Sequence, residues 1–412
     1  MKSNVFDFEN VNNQIVYPKY NTSYLVTMSL KQLQLQLKNS GISIPIVKDN
    51  AKSSDSEILV GKTKRSGNNT FNSEEEYIIK PVENKLVIDG GSVQAIIKAI
   101  EVLSGLINGG QIVFISPIKG RCDKSESCVC DYKLKFLDDF EGDALNERWS
   151  PYTRESYPER YKNKEDGSIN TCFRTEKNIS VHDGKLYQKI TLDDEHTLVG
   201  AKMTTADSFW FRYGYTEVSV KIASGFGTGS GFWLHGDNGK PNNKYCEFDI
   251  LEIYGHPAFN RFSPICCVSG KEKNISAWYL GKYSRLDTRV WLENDEKLSD
   301  AYHTFGLEWD ENYYRFTMDG EVVFENKYSD WENKEGITSY QQPVHAIISI
   351  NGGNYDWKIV EPDSSEPDFS KNNWTDDNIY TIDYFFVYQK DNQFCGKAAE
   401  EILKTSNKYV KV

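Results

Sequence analysis

Tyr245-Cys246-Glu247-Phe248-Asp249-Ile250-Leu251-Glu252-Ile253-Tyr254-Gly255 carries three carboxylates within six residues, interleaved with apolar side chains. The alternation predicts a β-strand with one face toward a core. Side chains two apart on a strand share a face, so Glu247 and Asp249 point the same way. Glu252 stands an odd number of residues from both and on a regular strand would face the other side. A β-bulge at Ile250-Leu251 adds one residue and returns Glu252 to the face of Glu247. Three acids on one surface repel one another, and a chemical site can use that cost. Two carboxyls flanking one bond are the machinery of glycoside hydrolysis. Such a strand also suits a solvated face or a structural calcium site, but a solvated face would not be flanked by so many apolar residues.

The surrounding composition narrows the setting. At 412 residues, two domains are the better expectation. The chain is 39% hydrophobic and 13% aromatic, the balance of a folded protein, with nine Trp and 25 Tyr whose flat faces could stack on sugar rings or fill a core. A formal charge of −12 and the lack of a basic stripe argue against nucleic acid as a partner. No run of about 18 apolar residues predicts a membrane span. The N-terminal MKSNVFDFENVNNQ lacks an apolar core of the kind secretory signals carry. A monomer without a cofactor is expected. Eight cysteines all follow residue 121. Cys122, Cys128 and Cys130 lack a second ligand pair at metal spacing, so a local disulfide or thiols are the readings for them.

Residues 1–118 contain no Trp, His or Cys, whereas all nine Trp and all six His follow, and this step marks a domain boundary. The first part reads as a small α/β accessory domain. It has strands at 14–18, 42–47, 57–60, 77–81, 85–88 and 111–115, a helix over 25–37, and a second helix after Ser92. Ser92 is a plausible N-cap for the Val93, Ile96, Ile97, Ile100, Leu103 and Leu106 stripe. A charged linker is expected over 119–132. From 133 to 392 the pattern becomes many short strands with turn signals, which predicts an all-β sandwich. Asp319-Gly320 is a strong hairpin signal within it. Residues 393–412 read as a tail with a short helix at 397–403.

Several segments in the second region resemble glycoside hydrolase family 16. They are Asp138-Asp139-Phe140-Glu141-Gly142 with Trp149, Phe211-Arg212-Tyr213-Gly214-Tyr215-Thr216-Glu217, Gly231-Phe232-Trp233-Leu234, Tyr302 to Trp309, Asp383 to Tyr388 and the Glu-x-Asp-x-x-Glu motif. The resemblance implies a concanavalin-like β-jelly-roll with a glycan cleft, Glu247 as nucleophile, Glu252 as general acid/base and Asp249 between them. The six-residue, bulged form of the motif resembles laminarinases, agarases and carrageenases, which implies an endo-acting enzyme on β-1,3-glucan or a marine galactan, a polysaccharide met outside the cell. Charges on Glu247 and Asp249 would raise the pKa of Glu252, as a proton donor requires. The first region is similar to the small α/β domain that precedes the barrels of family 20 and family 67 glycosidases. Its resembling residues are Glu57 to Gly61, Tyr77 to Lys80 and Lys85 to Gly91.

Candidate sugar-binding residues are Trp233, which matches the family's cleft tryptophan, together with Trp210, Tyr254, Trp357, His256 and Asn351. The aromatics and His256 also have a plainer account: a core ring for the aromatics, an exposed loop for His256. Arg174 reads more readily as a surface ion pair. Laminarinase-type members place a His on the strand after the acidic one, and Phe262-Ser263-Pro264-Ile265-Cys266-Cys267-Val268 has none.

Overall fold

The structure is a computed structural model. It describes residues 4–7, 13–107, 111–114, 116–152, 173–192, 198–225, 228–236, 245–252, 261–262, 265–269, 290–291, 297–330, 341–352 and 378–396. The chain divides into two compact units, Met1–Leu134 with Met318–Glu321, and Lys135–Thr317 with Val322–Val412.

The first unit is built on a six-stranded sheet in the order Ile46–Lys48, Asn13–Tyr17, Ser56–Val60, Lys85–Gly90, Glu76–Val82, Ile118–Arg121. The first four strands are parallel and the last two antiparallel. Ser56–Val60 is buried at every residue, as expected of a strand with parallel neighbours on both sides. Helix Tyr24–Asn39 begins at Ser23, whose hydroxyl accepts from Leu25 N. Helix Val93–Leu106 begins at Ser92, whose hydroxyl accepts from Ala95 N. The apolar stripe of the second helix turns Ile97, Ile100 and Leu103 into the core. Residues 119–132, expected as a linker, instead contribute most of an edge strand, a short 3-10 turn and the pair Cys128–Val129 with Tyr132–Asp138. Charged side chains mislead here because an edge strand exposes one face and tolerates them. The strand expected at 42–47 shortens to Ile46–Lys48, while Ile42 and Ile44 are buried beside it. Gln111–Phe114 pairs with Asn4–Asp7 outside the six-stranded sheet.

The second unit is a sandwich of two sheets. One runs Ile179–His182, Lys185–Lys189, Ile379–Gln389, Gly214–Lys221, His303–Trp309, Tyr313–Met318, Glu321–Lys327, with Tyr132–Asp138 also paired to Ile379–Gln389. The other runs Ser150–Pro151, Leu198–Thr204, His345–Gly352, Thr228–His235, Tyr245–Glu252, Ile265–Ser269. Inner faces meet through aromatics. Phe232 packs 5.7 Å from Phe385, and Phe248 lies 5.5 Å from Trp309 and 6.0 Å from Tyr314, ring centre to ring centre. The Asp319-Gly320 turn has positive φ at both positions (46° and 82°), the geometry a two-residue hairpin demands. Buried Asp138 accepts from Trp149 Nε1 (2.9 Å) and Phe140 N (3.0 Å). Burial raises its carboxyl above the usual range, and these two bonds only partly offset that. No helix among the described residues is long and apolar enough to cross a membrane. Cys122 and Cys128 carry free thiols, so neither takes part in a local disulfide.

Candidate active site

The acidic strand lies between Thr228–His235 and Ile265–Ser269. Its register with Thr228–His235 pairs His235 with Glu247, Leu234 with Phe248 and Trp233 with Asp249, then slips so that Phe232 faces Leu251 and Gly231 faces Glu252. Ile250 is therefore the extra residue. Both Ile250 and Leu251 are buried, Ile250 at 1% exposure and Leu251 at 0%. Two consecutive inward side chains are the signature of a bulge, and their consequence is that Glu252 returns to the outer face with Glu247 and Asp249. Asp249 is buried, while Glu247 and Glu252 are half-buried.

Antiparallel partners share a face, so the register extends this surface across four strands. Thr228–His235 alternates strictly, with Phe232 and Leu234 in the core and Trp233 and His235 on the acid face. Its pairing with His345–Gly352 sets His235 opposite His345, Trp233 opposite Ile347, Gly231 opposite Ser349 and Gly229 opposite Asn351. The next strand brings Lys202 opposite Ser349 and Thr204 opposite Ile347. Gly231 thus lies between Ser349 and Glu252 without a side chain, and a Cβ there would come within 3.2 Å of Ser349 Oγ.

Trp233 is held from several sides. Its Nε1 donates to Ser349 Oγ at 3.3 Å. Lys202 Nζ sits 4.3 Å from its ring centre and 4.4 Å from that of Tyr152, a cation between two π faces. His235 meets it edge-on at 5.8 Å. His345 is buried, with Nδ1 2.7 Å from Thr204 Oγ1, and its ring stands 5.6 Å from that of His235. Burial, reinforced by nearby His235 and Lys202, pushes the His345 imidazole down to about 3, so it is neutral at ordinary pH.

Of the sequence candidates, Glu247, Asp249, Glu252 and Trp233 converge on this face, with Asn351 two residues further along its strand. Trp210 is 6% exposed, donates from Nε1 to Ala206 O (2.6 Å) and packs edge-on against His345 at 4.6 Å. Tyr254, His256 and Trp357 lie outside the described residues, and Arg174 is described in backbone alone. Sequence reasoning missed His235, His345, Lys202 and Ser349. His235 had a local signal, standing two residues after Trp233 on an alternating strand. The other three reach the face through pairings between distant segments. The strand that lacks the expected His sets Cys267 opposite Glu247. The histidine beside Glu247 comes from the opposite flank, as His235. Among the described residues, no group of three His, Cys, Asp or Glu side chains is placed to hold a metal ion.

The family Glycosyl hydrolases family 16 matches residues 167–383. A β-glucanase of Fibrobacter succinogenes (strain ATCC 19169 / S85) is 27% identical over 139 residues, 33% of this chain and 36% of that protein. A β-glucanase of Acetivibrio thermocellus is 26% identical over 163 residues, 39% of this chain and 42% of that protein. These matches span about two fifths of the length of either relative. Among solved structures, the laminarinase from Flavobacterium sp. UMI-01 is 23% identical, with a TM-score of 0.46, covering 62% of this chain and 100% of its own.

Proposed function

Because the chain belongs to glycosyl hydrolase family 16, we propose that it is a retaining endo-hydrolase of β-linked polysaccharide, with β-1,3-glucan as substrate. The observation that carries the reading is the bulge at Ile250, which sets Glu247, Asp249 and Glu252 on one face. Retaining hydrolysis requires a nucleophile and an acid/base about 5–5.5 Å apart. Glu247 attacks the anomeric carbon while Glu252 donates its proton to the leaving oxygen. A covalent glycosyl-enzyme forms on Glu247, and Glu252 then takes a proton from the water that releases it. Asp249, between them, raises the proton affinity of Glu252 by its charge. Trp233 offers an aromatic face to a sugar ring, and side-chain-free Gly231 leaves room in front of Glu252. β-Glucanase activity in the two relatives named above supports the substrate class.

The test is a panel of laminarin, lichenan, agarose and carrageenan, with products followed by reducing-end release and by NMR of the newly formed anomer. Laminarin cleaved to β-anomeric oligosaccharides, with E247Q inactive, is the expected result. Cleavage of agarose or carrageenan alone would move the substrate to a galactan. An initially α-configured product would overturn the retaining mechanism, and binding without turnover would make the protein a glycan-binding sandwich.

A further inference from the structure

His235 stands directly opposite Glu247 in the strand pair, on the same face. Side chains opposite one another in an antiparallel pair have Cβ atoms about 4.5–5.5 Å apart, within reach of an imidazole and a carboxylate. On its other flank His235 meets His345, and along its own strand it meets Trp233. Among the described residues, Glu247 on the acidic strand and His345 on His345–Gly352 stand opposite His235; Asp249 lies opposite Trp233, and Glu252 and Lys202 stand further along the face, at the level of Gly231 and Ser349. Lys202 lies over the Trp233 and Tyr152 rings. His345, buried against Thr204 and Trp210, stays neutral, whereas His235 is half-buried on the acid face.

We propose that His235 is a positioning residue that, as imidazolium, pairs with Glu247 and keeps it ionised through the acidic half of the working range. This rests on the reading of Glu247 as nucleophile. A nucleophile must be deprotonated while Glu252 keeps its proton, yet the charge of Asp249 pushes Glu247 toward protonation. An adjacent cation opposes that push. The coupling is reciprocal: whatever His235 does to lower the proton affinity of Glu247, Glu247 does to raise that of His235.

The decisive experiment needs no substrate. Histidine ring NMR, with the His235 signal assigned by its loss in H235Q, is followed from pH 4 to 9 in the wild type and in E247Q. The His235 midpoint is expected to fall by about one pH unit in E247Q, the low end of the effect of an adjacent opposite charge. An unchanged midpoint overturns the proposal. A kinetic arm uses laminarin. In H235Q the acid limb of kcat/KM should move up by about one pH unit, and H235K should return the limb. A raised KM with an unmoved limb would make His235 a sugar contact and overturn the pairing. Thermal melts of H235Q and H235K establish that both are folded. Retained activity in E247Q would sink the reading of Glu247 as nucleophile, and the NMR result would still judge the pairing on its own.

Discussion

Glu57 in the first unit and the acids of the second show two ways to surround a carboxylate. Glu57 has no exposed surface. Arg65 and Lys85 reach its two oxygens at 2.5 and 2.6 Å, and Gln14 Nε2 and Ser54 N donate to it as well. Burial alone would raise its proton affinity. The bonds from Lys85, Gln14 and Ser54, with the charge of Lys85, outweigh that and hold the carboxyl below its usual range. On the acidic strand the neighbours brought by the register are other carboxylates, a tryptophan and a histidine. Lys202, on the same face, is placed over aromatic rings. Glu57 is arranged for a fixed charge state, whereas under the proposed mechanism Glu252 is the acid that exchanges a proton.

The sharpest break of this contrast is exchange of the acids themselves. E247Q and E252Q are each expected to lower kcat on laminarin by about a thousandfold or more, ~4 kcal/mol of barrier, with melting temperatures close to wild type. Activity that survives both would dissolve the distinction. E57Q should show the reverse pattern. Leaving Arg65 and Lys85 without their counter-ion is expected to cost about 2–3 kcal/mol in denaturant unfolding, below the full figure for a buried pair because both cations are partly solvated, and to leave kcat unchanged. Its pH dependence follows from the depressed carboxyl. The stabilisation is present above the ordinary carboxylate range and is lost as pH falls through the folded value, so wild type should lose stability in acid more steeply than E57Q.

Smaller effects sharpen the picture of the face itself. W233A is expected to raise KM on laminarin about tenfold, ~1.4 kcal/mol, with a lesser change in kcat, if the ring stacks on a sugar as proposed and takes no proton. The smallest expected change is none: the ring signal of His345 should not move between pH 5 and 8, since it charges only near pH 3. Movement in that window would mean that solvent reaches the imidazole.

The acid face was readable in sequence to the degree that it is local. Odd spacing between Asp249 and Glu252 required a bulge at Ile250-Leu251, and the register slip falls there. The helix start at Ser92, the Asp319-Gly320 turn and the change to a β sandwich rest on signals within a few residues. What was not readable depends on strand order. Nothing local brings His345 or Lys202 to the acids, because each arrives through pairing with a segment far away along the chain. Trp210 looked like any cleft tryptophan until the structure placed it against His345. The 119–132 stretch shows the same limit, since composition cannot tell an edge strand from a tether.

The extra residue at Ile250 also bears on how such a strand can change length. A strand is read in twos, and one inserted or deleted residue would ordinarily swap its two faces from that point onward. Here the insertion is cancelled where it occurs, so parity is restored before Glu252. Removing Ile250 would leave the carboxylates at an even spacing of two and two, all still facing outward, at the loss of one buried aliphatic side chain. The acid face is therefore compatible with two strand lengths that differ by a single codon, a tolerance for odd-numbered length change that the Phe232 and Leu234 core strand beside it lacks.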